Sequence, residues 1–161
     1  MDERESILDL LIRHELVVMR LYEACATAFP EQRTFWSRLA QEEAGHAEAL
    51  RALHEASARE IESALARFAP QALRTSIEFV EDKTAKLKDG GIDTIGALAL
   101  AQELESALLE DHFSKLLPLA DPVLRPVLGS LASQTKEHQQ IISDALAEAR
   151  ARRRRGDLPH G

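Results

Sequence analysis

The sequence predicts an all-α protein: four long helices in a bundle, with a shorter helix in the connection between the second and third. Two observations lead there. Apolar residues recur at helical spacing in every long stretch, and no run alternates apolar and polar residues long enough to suggest a strand. The composition is aliphatic and Ala-rich, with one Trp, one Tyr and five Phe among 161 residues. Seven Gly and six Pro fall mostly between the helical runs, as an all-helical chain requires.

Residues 6–28 place Leu8, Leu11, Ile12, Val18, Met19 and Tyr22 at helical spacing. Pro30 suits the first turn of a second helix. That helix carries Phe35, Leu39, Ala47, Leu50 and Leu53, fades near Phe68 and is broken by Pro70. Residues 71–88 form a shorter amphipathic run, with Leu73, Ile77, Val80 and Leu87, ending at Gly90-Gly91. A third long helix is expected from Thr94 to Leu117. Residues 118–126 contain three prolines, and Asp121-Pro122 reads as a cap followed by a first-turn proline. The last helix is expected to run to about Arg150, leaving residues 151–161 as a basic, disordered tail and 1–150 as the domain. The run from Arg150 to Arg155 suits a solvated helix C-terminus, with an acidic partner or phosphate as the other possibility.

The connection between the second and third long helices is too long for a hairpin. It can carry the chain the length of a bundle, which is the topology of ferritin-like folds. The two helix pairs also repeat. LAQEEAGHAEAL and LASQTKEHQQII align at Leu, Ala and His, which would bring equivalent side chains together at the centre of the bundle.

The net charge of −7 argues against a general nucleic-acid binder. Cys25 is the single cysteine, which excludes a disulfide within the chain and any four-cysteine metal knuckle. A reducing cytoplasmic location is the simplest expectation. MDERESILDLL is acidic and reads as no secretion signal. No uncharged apolar stretch of about 18 residues exists to span a membrane.

The chemistry concentrates in Glu43-x-x-His46, a carboxylate and an imidazole one helical turn apart. A lone match of this kind is weak. The apolar stripes around it and around Glu15, Glu105 and His138 matter more. Glu43 is flanked by Trp36, Leu39, Ala40, Ala47 and Leu50; Glu15 by Leu8, Leu11, Ile12, Val18, Met19 and Tyr22; Glu105 by Leu98, Ala101, Gln102, Leu108, Leu109 and His112; His138 by Leu131, Thr135, Ile141 and Ile142. Such stripes face the core. An unpartnered buried carboxylate costs several kcal/mol, and a domain holds only about 5–15 kcal/mol of net stability. A divalent cation would compensate three such acids, and an oxygen and nitrogen donor set suits iron, manganese or zinc. The alternative for each acid is a helix-edge position with a wet head group.

Tyr22, two turns after Glu15, is either a hydrogen-bond donor to a ligand carboxylate or an ordinary core aromatic. His112, two turns after Glu105, is a supporting group, a substitute ligand or a surface histidine. Glu42 faces Arg38 and Gly45 and reads as solvated. Glu103 and Glu137 lie off the stripes, and His14 and His54 read as surface residues.

The pattern resembles the rubrerythrin branch of the ferritin-like superfamily over nearly the whole chain. Glu15 seven before Tyr22, Glu43-Ala44-Gly45-His46, Glu105 in LAQELE and His138 carry the likeness. The resemblance implies a non-haem di-iron centre with Glu15, Glu43, His46, Glu105 and His138 as metal ligands. It also implies reaction with peroxide, dioxygen or ferrous iron, and a homodimer with an unspecified redox partner. Thr135 stands where the fourth-helix Glu belongs, Leu108 removes a further third-helix Glu, and no rubredoxin-type cysteine pairs occur. One ion would take Glu15, Glu43 and His46 with Glu105 bridging; the second would have His138 and little else. Two functions follow: a metal-binding oxidoreductase with an incomplete centre, or a bundle that has lost catalysis and serves as a binding or assembly module.

Overall fold

A computed structural model describes residues 5–65 and 69–156. The expected end of the second helix at Phe68 and the chain beyond Gly156 lie outside the described residues. Within them the chain is all helical and no strand occurs.

Helix α1 spans Ile7–Ala28. It opens on a capping box: Asp9 N–H donates to Ser6 Oγ at 3.1 Å, and Ser6 N–H donates back to Asp9 Oδ2 at 3.2 Å. A 3-10 turn at Pro30–Gln32 leads into α2, Arg33–Leu65. Helix α3, Gln71–Lys88, is the connecting helix. It ends where Gly90 takes φ +78° and Gly91 N–H donates to Lys86 C=O at 2.8 Å. Only glycine adopts that left-handed backbone without strain.

Helix α4, Thr94–Ala107, is capped by Asp93, which accepts from Gly96 N–H at 2.7 Å. The third helix then departs from the regular run expected to Leu117. It passes through a π-helical turn, Leu108–Phe113, into the short α5, Ser114–Leu116, and a 3-10 turn, Leu117–Leu119. A π turn adds a residue to the turn, so side chains beyond Leu108 rotate away from α-helical register. Helix α6 spans Leu124–Arg154. Asp121 Oδ1 accepts from the backbone N–H of Val123 and Leu124 at 2.9 and 2.8 Å, the capping role expected of it. The helix continues four residues past Arg150. Its last turn is held by Arg152 on Glu148 at 2.9 Å and Arg153 on Asp93 at 2.7 Å, so the basic segment to Arg154 is helix rather than tail.

Helix α1 packs on both α2 and α3, α4 packs on α6, and α2 meets α6. The core between them is aliphatic, with Trp36, Tyr22 and Phe113 its largest side chains. Of the residues flanking the candidate ligands, Leu11, Ile12, Val18, Trp36, Leu39, Ala40, Ala47, Leu50, Leu98, Ala101, Leu108, Leu131 and Ile142 are buried, while Met19, Leu109 and Ile141 are only partly so. No described helix is long and apolar enough to cross a membrane.

Candidate metal centre

The buried stripes carry their acids and imidazoles with them. Helix α1 contributes Glu15, α2 contributes Glu43 and His46, α4 contributes Glu105 and α6 contributes His138. Each of these side chains is only 1–2% exposed. None is the wet, snorkelling head group that the edge position would give.

They form two overlapping triads. Glu15, Glu43 and His46 offer ligand atoms within 4.8 Å of one another, and so do Glu43, Glu105 and His138. Glu43 is common to both, which corrects the expectation that Glu105 would bridge. It also corrects the view that His138 stands nearly alone, since His138 has two carboxylates beside it. Glu43 lies between the two rings: one of its oxygens is 3.1 Å from His46 Nδ1 and the other 2.9 Å from His138 Nδ1. His46 Nδ1 is also 3.2 Å from Glu15 Oε2, and His138 Nδ1 is 3.6 Å from Glu105 Oε1.

The outer nitrogens of both rings are held from the surface side. His46 Nε2 meets Gln134 Oε1 at 2.7 Å, and His138 Nε2 meets Glu42 Oε2 at 2.6 Å. Glu42 was expected to be solvated; it keeps its ion pair to Arg38 at 2.9 Å but turns its second oxygen inward to α6. Tyr22 Oη donates to Glu105 Oε1 at 2.5 Å. Its ring still packs in the core, tilted against Trp36 with centroids 5.6 Å apart.

Several buried atoms in the cluster have no hydrogen-bond partner: Glu15 Oε1, Glu43 Oε1, Glu105 Oε2, Thr135 Oγ1 and His138 Nδ1. The close approach of His138 Nδ1 to Glu43 Oε1 is therefore off the hydrogen-bonding direction. Buried polar atoms normally find partners. A cation is one way to satisfy such buried acid oxygens and an imidazole nitrogen, and the carboxylate and imidazole set suits a divalent ion. The residues present fit a metal ion, and the cluster could hold one.

The protonation pattern reflects the same crowding. Burial, and then the charge of Glu43, push Glu15 up to about 7. Burial also pushes Glu43 up, and Glu105 adds to this, but the facing imidazoles of His138 and His46 bring it below the usual carboxylate range. Burial lowers both histidines, yet the carboxylates facing them win: Glu15 and Glu43 carry His46 to about 10, and Glu105 and Glu43 carry His138 to about 11. Protons and a metal ion thus compete for the same inner lone pairs.

Thr135 sits one turn before His138, fully buried, where the repeat calls for Glu. His14, expected at the surface, is 1% exposed, because α1 is covered by α3 as well as α2. Its Nε2 lies 2.8 Å from Ser76 Oγ on α3. Burial lowers its pKa to about 4. His112 lies beside it, ring centroids 5.9 Å apart and nearly perpendicular, an arrangement that the π turn creates. His54 is half-buried near Asp9; Glu103 and Glu137 are exposed, as expected. Cys25 is buried and free, its thiol pushed up to about 12 by burial, which disfavours the nucleophilic thiolate.

A surface cavity of about 400 Å³ is lined by Phe29, Gln32, Thr94, Glu148 and Arg152, none of them in the cluster. Fold and site together define a helical protein with a buried carboxylate–histidine cluster. No family model, curated protein or solved structure matches the chain.

Proposed function

We propose that this is a ferritin-like, rubrerythrin-like protein holding non-haem iron at a carboxylate–histidine centre, where it acts on peroxide, dioxygen or ferrous iron. Manganese and zinc suit the same donors. The observation that carries the reading is the pair of triads sharing Glu43, with buried acid oxygens that lack a hydrogen-bond partner. Carboxylate and His ligands drawn from facing helices are how helix bundles build such centres.

A bound iron would supply the one-electron chemistry that side chains lack. The protein's part is different. Glu15, Glu43 and Glu105 balance positive charge, with Glu43 able to serve both halves. His46 and His138 present Nδ1 inward while Gln134 and Glu42 hold Nε2. Tyr22 fixes the rotamer of Glu105. The side chains packed around the cluster are largely aliphatic. Gln134 is exposed and Glu42 half-exposed, so this edge of the cluster reaches solvent and suits small oxidants.

The experiment is anaerobic loading with ferrous iron followed by hydrogen peroxide or air, with ferric absorbance as the readout. Oxidation should outpace that of free iron and fall to the free-iron rate in His46→Ala. Equal rates for both proteins would overturn the enzymatic reading. A homodimer comes with the same likeness, and light scattering tests it; a cytoplasmic location is proposed from the single cysteine.

A second reading keeps the bundle and drops the catalysis, leaving a binding or assembly module. Thr135 favours it, because a hydroxyl is a poor ligand for a hard cation. So do the close His–Glu pairs, in which protons alone can balance much of the charge.

A further inference from the structure

The internal repeat leaves the His138 half of the cluster one carboxylate short. Thr135 stands at the position that Glu43 occupies in the other copy, three residues before the histidine. The packing of α2 against α6 brings in a carboxylate from a different direction. Glu42 Oε2 lies 2.6 Å from His138 Nε2, on the far side of the ring from the triad.

A carboxylate only accepts, so His138 Nε2 carries the proton and donates it. That leaves Nδ1 as the coordinating nitrogen, and Nδ1 is the atom that faces Glu43 and Glu105 without a hydrogen bond. His46 is held the same way round, but by an uncharged group, Gln134 Oε1 at 2.7 Å. The two imidazoles thus share an orientation and differ in the charge behind them. An N–H held by a carboxylate makes the ring a stronger donor than one held by an amide. Arg38, 2.9 Å from Glu42 Oε1, draws on the same charge from the surface side.

We propose that Glu42 is a positioning residue for the His138 half of the metal centre, supplying through the imidazole the negative charge that Thr135 does not. The inference rests on the metal-centre reading above. It makes the two halves unequal: His138 has a carboxylate behind it, and His46 does not. Arg38 moderates that charge, so removing Arg38 acts in the opposite direction to removing Glu42.

The test is titration of the metal-stripped full chain with Co(II), by calorimetry and visible absorption. Two binding events are expected. Glu42→Gln, which keeps the shape and an acceptor but removes the charge, should weaken one event ten- to hundredfold and spare the other. The Co(II) absorption bands should move with it. His138→Ala should abolish that same event, and adding Glu42→Gln to it should cost nothing further. Arg38→Gln should strengthen the event. Nitrogen-15 spectra of the Zn(II)-loaded chain should show His138 Nε2 protonated. If only one ion binds, that event should show the same opposed responses to the two variants. Wild type that binds as expected while Glu42→Gln is unchanged, or weakens both events equally, overturns this proposal and spares the metal centre. Wild type that binds no Co(II) overturns both. Should Glu42→Gln fail to fold by circular dichroism, Arg38→Gln, on an exposed side chain, decides: no strengthening overturns the proposal.

Discussion

His46 and His138 lie nearly parallel across the α2–α6 seam, ring centroids 5.4 Å apart and planes 21° from each other. Glu43 joins them, one carboxylate oxygen toward each inner nitrogen. Two imidazoles carrying charge at this distance repel, so the arrangement depends on the acids around it. The cluster is therefore a unit, and its members respond differently to removal according to which ring they serve.

Glu15 and Glu105 separate the halves. Glu15→Gln should weaken metal binding at the His46 half and leave the His138 half in place; Glu105→Gln should do the reverse. The loss should be at least about a hundredfold, at or beyond the upper range for groups that only support a ligand. Competition titration with a chromophoric chelator measures both. Equal weakening of both halves by either variant would contradict the two-triad arrangement.

The metal-free chain should lose stability as pH rises. His46 and His138 have folded pKa values of about 10 and 11, raised from 6.5. The folded state therefore binds more protons than the unfolded state above about pH 6.5. Their contribution is full below that pH and is lost as pH climbs through 10 to 11. Glu15, raised from 4.5 to about 7, acts in the same sense between those values. His14, lowered from 6.5 to about 4, acts oppositely: its contribution is present above 6.5 and fades as pH falls through 4. Thermal melts from pH 6.5 to 10 should show a falling Tm. A divalent ion should reverse the trend over the pH range where it stays soluble, since the deprotonated lone pairs bind it. A flat profile would contradict the ion-paired cluster.

Thr135→Glu should restore the repeat. In the metal-free chain the added buried acid should lower stability, by an amount on the order of 1–3 kcal/mol or more. With metal present the loss should be recovered, and the second ion should bind more tightly. Melts with and without Zn(II) check this; a loss that metal does not recover would mean that position 135 does not face the centre.

Tyr22→Phe removes the hydroxyl that donates to Glu105 at 2.5 Å and leaves that oxygen without its donor. A cost of about 1–3 kcal/mol in denaturant unfolding is expected. An unchanged midpoint would show that Glu105 finds another partner.

The all-helical class and the burial of the five central side chains were legible because their signal is local. Glu15, Glu43, Glu105 and His138 each sit in an apolar stripe of their own helix, and a stripe at helical spacing is visible without any tertiary contact. His14 had the same signal and was read as exposed. Its neighbours Leu10, Leu11, Val17, Val18 and Leu21 are all buried, but a helix covered on two sides has two inner faces, and one stripe hides the other. Glu42 and Gln134 could not be found this way, since each acts on a ring brought from another helix. The sharing of Glu43 depends on how α2 is rotated. The π turn at Leu108–Phe113 has no breaker residue to announce it, so the meeting of His112 with His14 was out of reach.

Iron retention by wild type and Glu43→Gln, side by side, is the most direct measurement. Both proteins are loaded anaerobically with ferrous iron, desalted and analysed for metal and for folding by circular dichroism. Wild type should keep about one to two ions per chain, as a carboxylate–histidine bundle centre does. Folded Glu43→Gln should keep almost none, because one side chain serves both triads. Only trace iron in wild type, or equal retention by the two proteins, would contradict a metal centre built on Glu43.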